Sequence, residues 1–509
     1  MFLPQLPYGS AKNTRQIINF RGVRYGRGGS DGELAESYNL SSGQFPALSQ
    51  RRARATVGTW EAPTAIFGKG KLCVVDGTDF IYDGEKVGAV TAGEKQIVSI
   101  NTKIVIWPDK KVYDTEAKTF KDVGAKITAS SVTFTDNSIA IPGQKLTELF
   151  AENQAVEISG SSISENNKSI VIRSVSDTVL TFYNNSFTAG QSTSEVTIER
   201  EVPDLKLICA SNNRVWGCDD TTIWASALGD PYTWYNYDGL STDSYAVAVG
   251  SDGAFTGCCA YGSNVLFWKE DVLHKVLGLQ PSEYQIYTYT VQGPKQGCQK
   301  SLQIINEVLY YLGVEGVYAY SGGTPCLISE NFGIRRFQSA SAGTDGRRYY
   351  ISMQDAETEE WGMWTYDTVQ AIWLREDETN AFDFTTLNGD MLFLSGKSAY
   401  KTDQPDSAEK EPIEWSATFY PMDETIHNRK GYSKLYLRME LDPGAWVKLE
   451  IKEDFSPWMQ RGVVHGERRR TETVTMIPGR CDAFQIRLSG RGRCVVKSLV
   501  REFDAGSEV

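Results

Sequence analysis

The sequence predicts an all-β protein with a β-propeller-like core of about six to seven blades, an inserted small β-barrel or β-sandwich domain and a C-terminal β-sandwich. The first observation is a recurring hairpin pattern: a short apolar or aromatic run, a polar or glycine-containing turn and a second such run. The second is the abundance of glycine, 46 residues, between these runs. The third is that residues 212–332, where the hairpins are clearest, lack the apolar period of an amphipathic helix.

The hairpin pattern occurs seven times along the chain. Adjacent copies start roughly 30 to 50 residues apart, except across one long gap, and propeller blades repeat about every 40 to 50 residues. A propeller therefore fits this spacing better than a solenoid or a tandem array. The first runs of the copies are Leu72–Val75, Ile104–Trp107, Val215–Trp216, Val265–Trp268, Val308–Tyr311, Tyr349–Met353 and Met391–Leu394.

Changes in residue pattern divide the chain into domains. Residues 1–55 lack the hairpin and predict an N-terminal extended arm, and the propeller-like core is assigned to residues 56–124 and 204–405. Residues 125–203 hold short alternating strands rich in Ser, Thr, Asn and Val, which predict an inserted small β-domain. Residues 412–505 follow a polar linker and hold six alternating strands, which predict the C-terminal β-sandwich.

The alternation in the C-terminal region is clearest in KLYLRMEL, residues 434–441. It places Leu435, Leu437 and Met439 on one face of a strand, because successive side chains of a strand point to opposite faces. These three residues are therefore predicted to face the core of the sandwich.

The chain is acidic, with a formal net charge of −12 and a pI near 5.1. Phosphate binding needs a basic face, so the chain is a poor candidate for wrapping nucleic acid. The charge is compatible with a surface that DNA passes without adhering, and also with ordinary solubility. The nine cysteines have no CxxC or zinc spacing, which indicates reduced thiols in a protein made in a cytosol. No signal peptide is predicted, and no run approaches the roughly 20 apolar residues of a membrane span.

The sequence offers little for catalysis, and we expect neither an enzymatic activity nor a cofactor or metal site. A Ser-His-Asp or His-metal site needs a positioned imidazole, and the three histidines lie in different segments, at His274, His427 and His465. His274 ends a predicted blade strand, which favours a structural role. The HExxH and phosphate-binding GxxxxGK[ST] motifs are absent from the sequence.

Two other functions are compatible with the sequence. Clustered tryptophans could form a sugar-stacking platform in a glycan-binding, receptor-binding propeller, although such residues more often fill the space between blades. The turns at Ser226–Trp234 and Ser251–Gly253 are faintly similar to the Asp-box turns of sialidase-like propellers, which keeps a propeller glycosidase as a third interpretation. The clustered tryptophans are Trp216, Trp224, Trp234, Trp361, Trp364 and Trp373.

Four segments carry a resemblance to a known family. The segment NLSSGQFPAL, Asn39–Leu48, with the arginines that follow it, resembles the N-terminal region of the tail hub or tail nozzle proteins of short-tailed bacteriophages, also called head-to-tail stabilisation proteins. The block from Thr222 to Gly278, beginning TIWASALGDPYTWY, resembles the centre of that family, and Gly316–Phe332 and Arg480–Phe503 fit the same arrangement. The likeness lies in the layout of nearly the whole chain.

The resemblance implies a structural virion protein rather than an enzyme. Members of the family form a ring, commonly a hexamer, that sits under the portal and its adaptor, continues the DNA channel and often holds tail fibres or spikes. The implied partners are other copies of the chain, portal and adaptor proteins, and fibre or spike proteins, and genome DNA would pass through the lumen without specific binding. The implied location is the virion tail, assembled in the host cytoplasm, with no membrane anchor.

Two arginine clusters are candidate subunit or partner interfaces. An arginine cluster can contact phosphate or an acidic partner surface, and a head-to-tail ring needs two different complementary patches on each subunit. A solvated loop or linker is the alternative for both clusters. The candidates are Arg51, Arg52 and Arg54 near the N-terminus and Arg468, Arg469 and Arg470 near the C-terminus.

Overall fold

The structure, a computed structural model, describes residues 13–26, 28–183, 185–405, 408–409, 411–467, 470–475 and 480–504. The chain divides into two compact units. The central unit is Trp60–Leu302, and the terminal unit combines Met1–Thr59 with Gln303–Val509. Each unit holds β-sheets with buried apolar cores of its own.

The N-terminal segment of the terminal unit forms short strands. They are β1 (Asn13–Ile17), β2 (Leu34–Tyr38), β3 (Leu40–Ser41), β4 (Leu48–Gln50) and β5 (Ala53–Thr59), with a 3-10 turn at Ser42–Gln44 between β3 and β4.

The central unit begins with two four-stranded antiparallel sheets whose strands lie in chain order. The first contains β6 (Pro63–Lys69), β7 (Lys71–Asp76), β8 (Asp79–Tyr82) and β9 (Glu85–Ala89). The second contains β10 (Gln96–Ile100), β11 (Lys103–Trp107), β12 (Lys111–Asp114) and β13 (Thr119–Asp122).

The inserted domain follows as eight strands in one sheet path that does not close into a barrel. Its strands are β14 (Ala125–Ala129), β15 (Thr133–Phe134), β16 (Ser138–Ala140), β17 (Ala155–Ser159), β18 (Lys168–Val175), β19 (Val179–Phe182), β20 (Gly190–Gln191) and β21 (Val196–Arg200). A single-turn helix, α1 (Leu146–Leu149), and a 3-10 turn at Ser164–Asn166 connect them. Phe134, Ile158 and Phe182 are among the buried side chains of the domain's own apolar core.

Two further four-stranded sheets complete the central unit, with a 3-10 turn at Pro281–Glu283 between the last two strands of the second sheet and another at Gln299–Ser301 after its last strand. The sheets contain β22 (Leu207–Ser211), β23 (Arg214–Cys218), β24 (Thr222–Ala225) and β25 (Tyr245–Ala248), then β26 (Gly257–Tyr261), β27 (Asn264–Trp268), β28 (Val272–Leu277) and β29 (Gln285–Thr290). The first strands of the four sheets pack in succession, β6 on β10, β10 on β22 and β22 on β26.

The terminal unit resumes with three more four-stranded sheets. They contain β30 (Gln303–Ile305), β31 (Val308–Leu312), β32 (Val317–Tyr320) and β33 (Cys326–Leu327), then β34 (Phe337–Thr344), β35 (Arg348–Asp355), β36 (Trp361–Asp367) and β37 (Ile372–Asp377), then β38 (Asp383–Leu387), β39 (Asp390–Ser395) and β40 (Ser398–Gln404). The fourth strand of the last sheet is β5, which pairs antiparallel with β40. A 3-10 turn at Glu330–Phe332 precedes β34.

In the described part of the chain there are thus seven four-stranded sheets, which confirms the predicted β-propeller-like core. Each predicted hairpin forms the second and third strands of one sheet, as β11 and β12 or β27 and β28 do. The second strands are apolar because both of their faces are covered: Ile104 to Trp107 are all buried. The fourth strands are more polar and more exposed, as in β29.

The C-terminal sandwich consists of two antiparallel sheets that share one apolar core. Its strands from the C-terminal region are β41 (Glu414–Phe419), β42 (Lys430–Leu441), β43 (Trp446–Glu453), β44 (Met459–His465), β45 (Arg470–Thr475), β46 (Arg480–Cys481), β47 (Phe484–Arg491) and β48 (Cys494–Asp504). Leu435, Leu437 and Met439 on β42 are at most 1% exposed, as their alternation predicts.

The described part of the N-terminal segment differs from the extended arm that the sequence predicts. β1 and β4 pair with β48, and β2 pairs with β41, so these strands belong to the sandwich. The segment also touches the propeller-like core, where the N–H of Val23 donates to the carbonyl of Trp373 (2.7 Å). Gly22 makes this approach possible, because its φ is +80° and an added Cβ would lie 2.4 Å from that carbonyl. Partners several hundred residues away leave no local pattern, which is why the sequence suggests an arm.

Arg200 anchors the inserted domain within the central unit. Its Nε donates to the carbonyl of Val123 (3.0 Å) and its Nη1 to the carbonyl of Leu149 (2.7 Å), while the guanidinium lies 5.4 Å from the ring centre of Tyr232. Burial lowers the pKa of this guanidinium, and Asp230 opposes that effect. The insert is therefore attached through a buried cation that satisfies carbonyls on both sides of its boundary.

Replacing Arg200 with Met should loosen the insert, because two buried carbonyls lose a charged donor worth about 1.5–3 kcal/mol each. We expect a loss of about 3 kcal/mol in local stability, measured by hydrogen exchange of residues 125–200. Lys126→Met is the matched control, since its pair with Glu199 is exposed and contributes at most about 1 kcal/mol. Equal exchange in the two variants would contradict the anchoring role.

Candidate functional site

Arg51 and Arg54 are buried in the terminal unit, where they bind carboxylates from the end of β37 and from the segment after β40. Arg54 donates from Nη2 to Glu376 Oε2 (2.6 Å) and from Nη1 to Asp377 Oδ2 (2.7 Å). Arg51 donates from Nη1 to Glu409 Oε1 (2.6 Å). We call these five residues the ion-pair seam.

The ion pairs of the seam shift the pKa values of two of its residues, Arg54 and Asp377. Burial by itself would lower the pKa of Arg54, but Asp377 and Glu376 raise it above its usual value. Burial would raise the pKa of Asp377, and the positive charge of Arg54 lowers it below its usual value. Arg54 and Asp377 are therefore both charged at neutral pH, and their pair joins the N-terminal segment to β37.

The predicted interface arginines have four different outcomes. Arg51 and Arg54 bind carboxylates of their own chain, whereas Arg52 is exposed. Arg470 begins β45 and lies opposite Met439 of β42. Arg468 and Arg469 lie outside the described residues.

Arg52 lies at a concave site that we call the arginine cleft, a cavity of about 640 Å³ within the terminal unit. Pockets of about 300 to 1,000 Å³ are typical of ligand sites. The cleft lies where the β3–β4 connection, the turn between β34 and β35 and the turn before β48 meet. Its lining residues are Ser41, Ser42, Gly43, Gln44, Ser49, Gln50, Arg51, Arg52, Arg347, Arg348, Asp403, Pro405, Arg493, Cys494 and Val495.

Two of the cleft arginines are held in place by neighbouring groups. Arg348 donates from Nε to Asp345 Oδ2 (2.7 Å) and from Nη1 to Ser41 Oγ (3.1 Å), and it also pairs with Asp403. Arg347, half exposed, donates from Nη2 to Asp367 Oδ2 (2.8 Å). The carboxylates in and around the cleft are thus already neutralised by these two cations.

Other polar groups of the cleft have no partner in the described part of the chain. The guanidinium groups of Arg52 and Arg493 are exposed and unpaired there. Gln50 is only 7% exposed, yet its Oε1 accepts no hydrogen bond from a described residue. The cleft therefore offers cationic donors for a carboxylate or phosphate, and one acceptor for an N–H or O–H group of the same ligand.

Sequence reasoning selected Arg51 and Arg52 but missed Gln50, Arg347, Arg348 and Arg493. The adjacent arginines at 347 and 348 form a local signal, since two cations in a hairpin turn need carboxylates or a ligand nearby. Nothing local connects them to Arg493 or Gln50, because the chain brings these residues together from segments more than 140 residues apart.

Most of the tryptophans that were candidates for a sugar-stacking platform are buried in the core. Trp216, Trp234, Trp364 and Trp373 are at most 3% exposed, and only Trp224 and Trp361 are half-buried. Trp234 donates from Nε1 to the carbonyl of Pro231 (2.9 Å) inside the turn that resembles an Asp-box. These rings fill space within the sheets and between them, as tryptophans in propellers commonly do.

His274 on β28 is buried and hydrogen-bonded through both ring nitrogens. Its Nε2 lies 2.7 Å from Ser251 Oγ, and its Nδ1 lies 2.9 Å from Thr288 Oγ1. Burial lowers its pKa, and the nearby ammonium of Lys269 lowers it further. The ring is therefore neutral at neutral pH and ties β28 to β29 and to the loop after β25.

No group of three or more His, Cys, Asp or Glu side chains that could hold a metal ion occurs among the described residues. In the same residues, no helix is long and apolar enough to cross a membrane.

No protein-family model matches this sequence, and no curated protein is significantly similar to it. Solved structures with related folds include the phage phi92 endosialidase, at 9% identity and a TM-score of 0.28, covering 73% of each chain. An exo-β-1,3-galactanase from Phanerochaete chrysosporium aligns over 58% of this chain and 95% of its own, at 7% identity and a TM-score of 0.23. The extracellular domain of a hybrid two-component system from B. thetaiotaomicron covers 88% of this chain and 62% of its own, at 9% identity and a TM-score of 0.38. Similarity at this level carries no inference about function.

Replacing Arg54 with Met should destabilise the terminal unit by about 3–5 kcal/mol at pH 7, because Glu376 and Asp377 lose their buried counter-charge. The loss should shrink as the pH falls below about 4. The depressed pKa of Asp377 stabilises the wild type above the carboxylate's usual pKa, and this contribution disappears as the pH falls through the lower pKa of the folded state. Urea unfolding of both proteins between about pH 2.5 and pH 7 measures the difference, and a loss independent of pH would contradict this account.

Stability should also fall when the pH drops below about 6.5, because an unfolded His274 binds a proton that the folded, buried ring does not. The expected observation is a urea midpoint that decreases from pH 7.5 to pH 5.5. His274→Gln should flatten this dependence, whereas the matched control His427→Gln, at an exposed position, should leave it unchanged. If the urea midpoint of His274→Gln depends on pH as the wild type's does, His274 is not the cause of the dependence.

Proposed function

We propose that this chain is a structural virion protein, a tail hub or tail nozzle subunit of a short-tailed bacteriophage that assembles into a ring. The observation that carries the proposal is the arginine cleft. A ring subunit needs a preformed surface that recognises a partner. The cleft presents exposed guanidinium groups beside an unpaired buried acceptor, on segments that the ion-pair seam holds in place.

The family resemblance supplies the specific role within this proposal. Asn39, in the segment that carries it, donates from Nδ2 to the carbonyl of Glu414 (2.8 Å) and accepts at Oδ1 from Arg51 Nε (2.7 Å). Ser42 of the same segment donates to Asp367 Oδ2 (2.7 Å). The resembling residues therefore connect the sandwich to the propeller-like sheets, which supports a rigid building block.

The ring, commonly a hexamer in the proteins that this chain resembles, would extend the DNA channel of the portal and adaptor and anchor tail fibres or spikes. Its partners would be other copies of itself, the portal or adaptor protein, and the fibre or spike protein. DNA would pass through the lumen without specific binding, which suits a chain of net charge −12 because like charges repel phosphate. The subunit would act in the virion tail, after assembly in the host cytoplasm, without catalytic residues or a cofactor.

Glycan binding receives less support from the side chains. Carbohydrate sites commonly stack sugar rings on exposed aromatic faces, and four of the six clustered tryptophans are buried. The lining of the arginine cleft contains no aromatic residue among the described positions. A receptor-binding role is therefore the weaker alternative, and it predicts labelling at the fibre tips rather than at the tail vertex.

The proposal is tested by immunogold electron microscopy of virions purified from the lysate of the phage that encodes this chain. The antibody is raised against the recombinant protein, and antibody pre-absorbed with that protein is the control. We expect gold at the tail vertex, between the capsid and the fibres. Gold confined to the fibre tips would replace the hub function with receptor binding, and particles without gold would overturn a structural role in the virion.

A further inference from the structure

A second surface of the terminal unit complements the arginine cleft in charge. The turn between β35 and β36, residues 355–360, has the sequence DAETEE and contains four carboxylates in six residues. The side chains of Glu357, Glu359 and Glu360 are exposed and have no ion-pair partner in the described part of the chain. We call these six residues the acidic tip.

The acidic tip has a well-defined shape. Asp355 Oδ1 accepts hydrogen bonds from the N–H groups of Glu357 (2.9 Å) and Thr358 (3.1 Å), and the N–H of Asp355 donates to the carbonyl of Glu360 (2.9 Å). Glu359 has a φ of +59°, which reverses the chain sharply. One carboxylate thus holds the turn, and the other three are directed to solvent on a convex hairpin end.

The cleft and the tip are at opposite ends of the same strand. β35 begins at Arg348, which lines the cleft, and ends at Asp355, which opens the tip. Eight residues of strand separate these ends by roughly 23 Å, at about 3.3 Å per residue. Because a strand paired on both sides is stiff, each subunit carries a cationic concave surface and an anionic convex surface at a fixed spacing.

We propose that the acidic tip of one copy of this chain docks in the arginine cleft of the next copy. Two different complementary patches on one subunit produce a head-to-tail contact, the type of interface that closes into a ring. Arg52 and Arg493 would bind the glutamates of the tip. The buried Gln50 Oε1 would accept a hydrogen bond from the exposed hydroxyl of Thr358, which acts within the described chain as an acceptor for the N–H of Glu360. This inference rests on the proposed ring function and names the residues that would form its contact.

A second copy fits these observations better than a glycan or DNA. The cleft has no aromatic residue for stacking a sugar among its described lining residues. The chain carries a net charge of −12, so the phosphates of DNA would meet net repulsion from it, whereas a projecting hairpin end reaches a cleft with little contact elsewhere. The carboxylates around the cleft are already paired with Arg347, Arg348 and Arg51, which leaves Arg52 and Arg493 as available cations.

The experiment is a charge swap between the two surfaces of the full-length chain, with assembly measured by sedimentation velocity at increasing concentration up to about 100 μM. One variant reverses the cleft (Arg52→Glu with Arg493→Glu), and the other reverses the tip (Glu357→Lys, Glu359→Lys and Glu360→Lys). The wild type should assemble, and each variant alone should need at least about tenfold higher concentration, because like charges then meet at the contact. An equimolar mixture of the two variants should assemble as the wild type does, since the reversed surfaces are complementary to each other.

The matched control reverses three exposed glutamates elsewhere (Glu116→Lys, Glu152→Lys and Glu195→Lys), which gives the same change in net charge as the tip variant. It should assemble like the wild type. Thermal melting excludes misfolding, and Asp355, which holds the turn, is left intact.

Three results would overturn the inference: a wild type that stays monomeric throughout, swap variants that assemble normally, or a mixture that fails to recover assembly. Binding of a glycan or of DNA in the cleft of the wild-type protein, with assembly unchanged, would assign the cleft to that ligand instead. None of these results changes where the antibody labels the virion. Gold at the tail vertex combined with normally assembling swap variants would reject the contact and leave the hub function standing.

Discussion

The terminal unit depends on one set of interactions, the ion pairs among the five charged side chains of the ion-pair seam. Arg51 and Arg54 lie between strands of the sandwich and strands of the propeller-like sheets, and their carboxylate partners come from residues more than 300 positions away in sequence. Buried charges are tolerated only when they are paired. The seam therefore requires β4, β5, β37 and the segment around Glu409 to be in place together, and it fixes one wall of the arginine cleft through Arg51.

This constraint gives the cleft its chemical character. Arg51, Arg347 and Arg348 are bound to carboxylates of the same chain. These ion pairs hold the three side chains in place and also neutralise their positive charges. The cations left for a partner are Arg52 and Arg493, at the exposed edge of the site. A rigid site with a few available charges is suited to a specific contact, because little conformational entropy is lost when a partner binds.

The architecture could be predicted from the sequence to the extent that its signals are local. Apolar runs such as Val265 to Trp268, with a tight turn after them, predict the middle strands of a blade, because both faces of such strands are covered. Alternation in residues 434–441 predicts which face of β42 is buried. The strands of the N-terminal segment could not be predicted, because β1 to β4 are two to five residues long and their partners lie at the other end of the chain.

The sequence by itself determined the β class of this protein, the number of hairpins and the residue types at its surface and core, since strand period and turn chemistry act over a few residues. Only the tertiary structure decided what the arginines do. Arg51, Arg52 and Arg54 are close neighbours in sequence and equal in charge, yet Arg51 and Arg54 are buried against carboxylates while Arg52 lies exposed at the cleft. Long-range pairing of strands sets which side chain meets a counter-charge, and no local pattern encodes that choice.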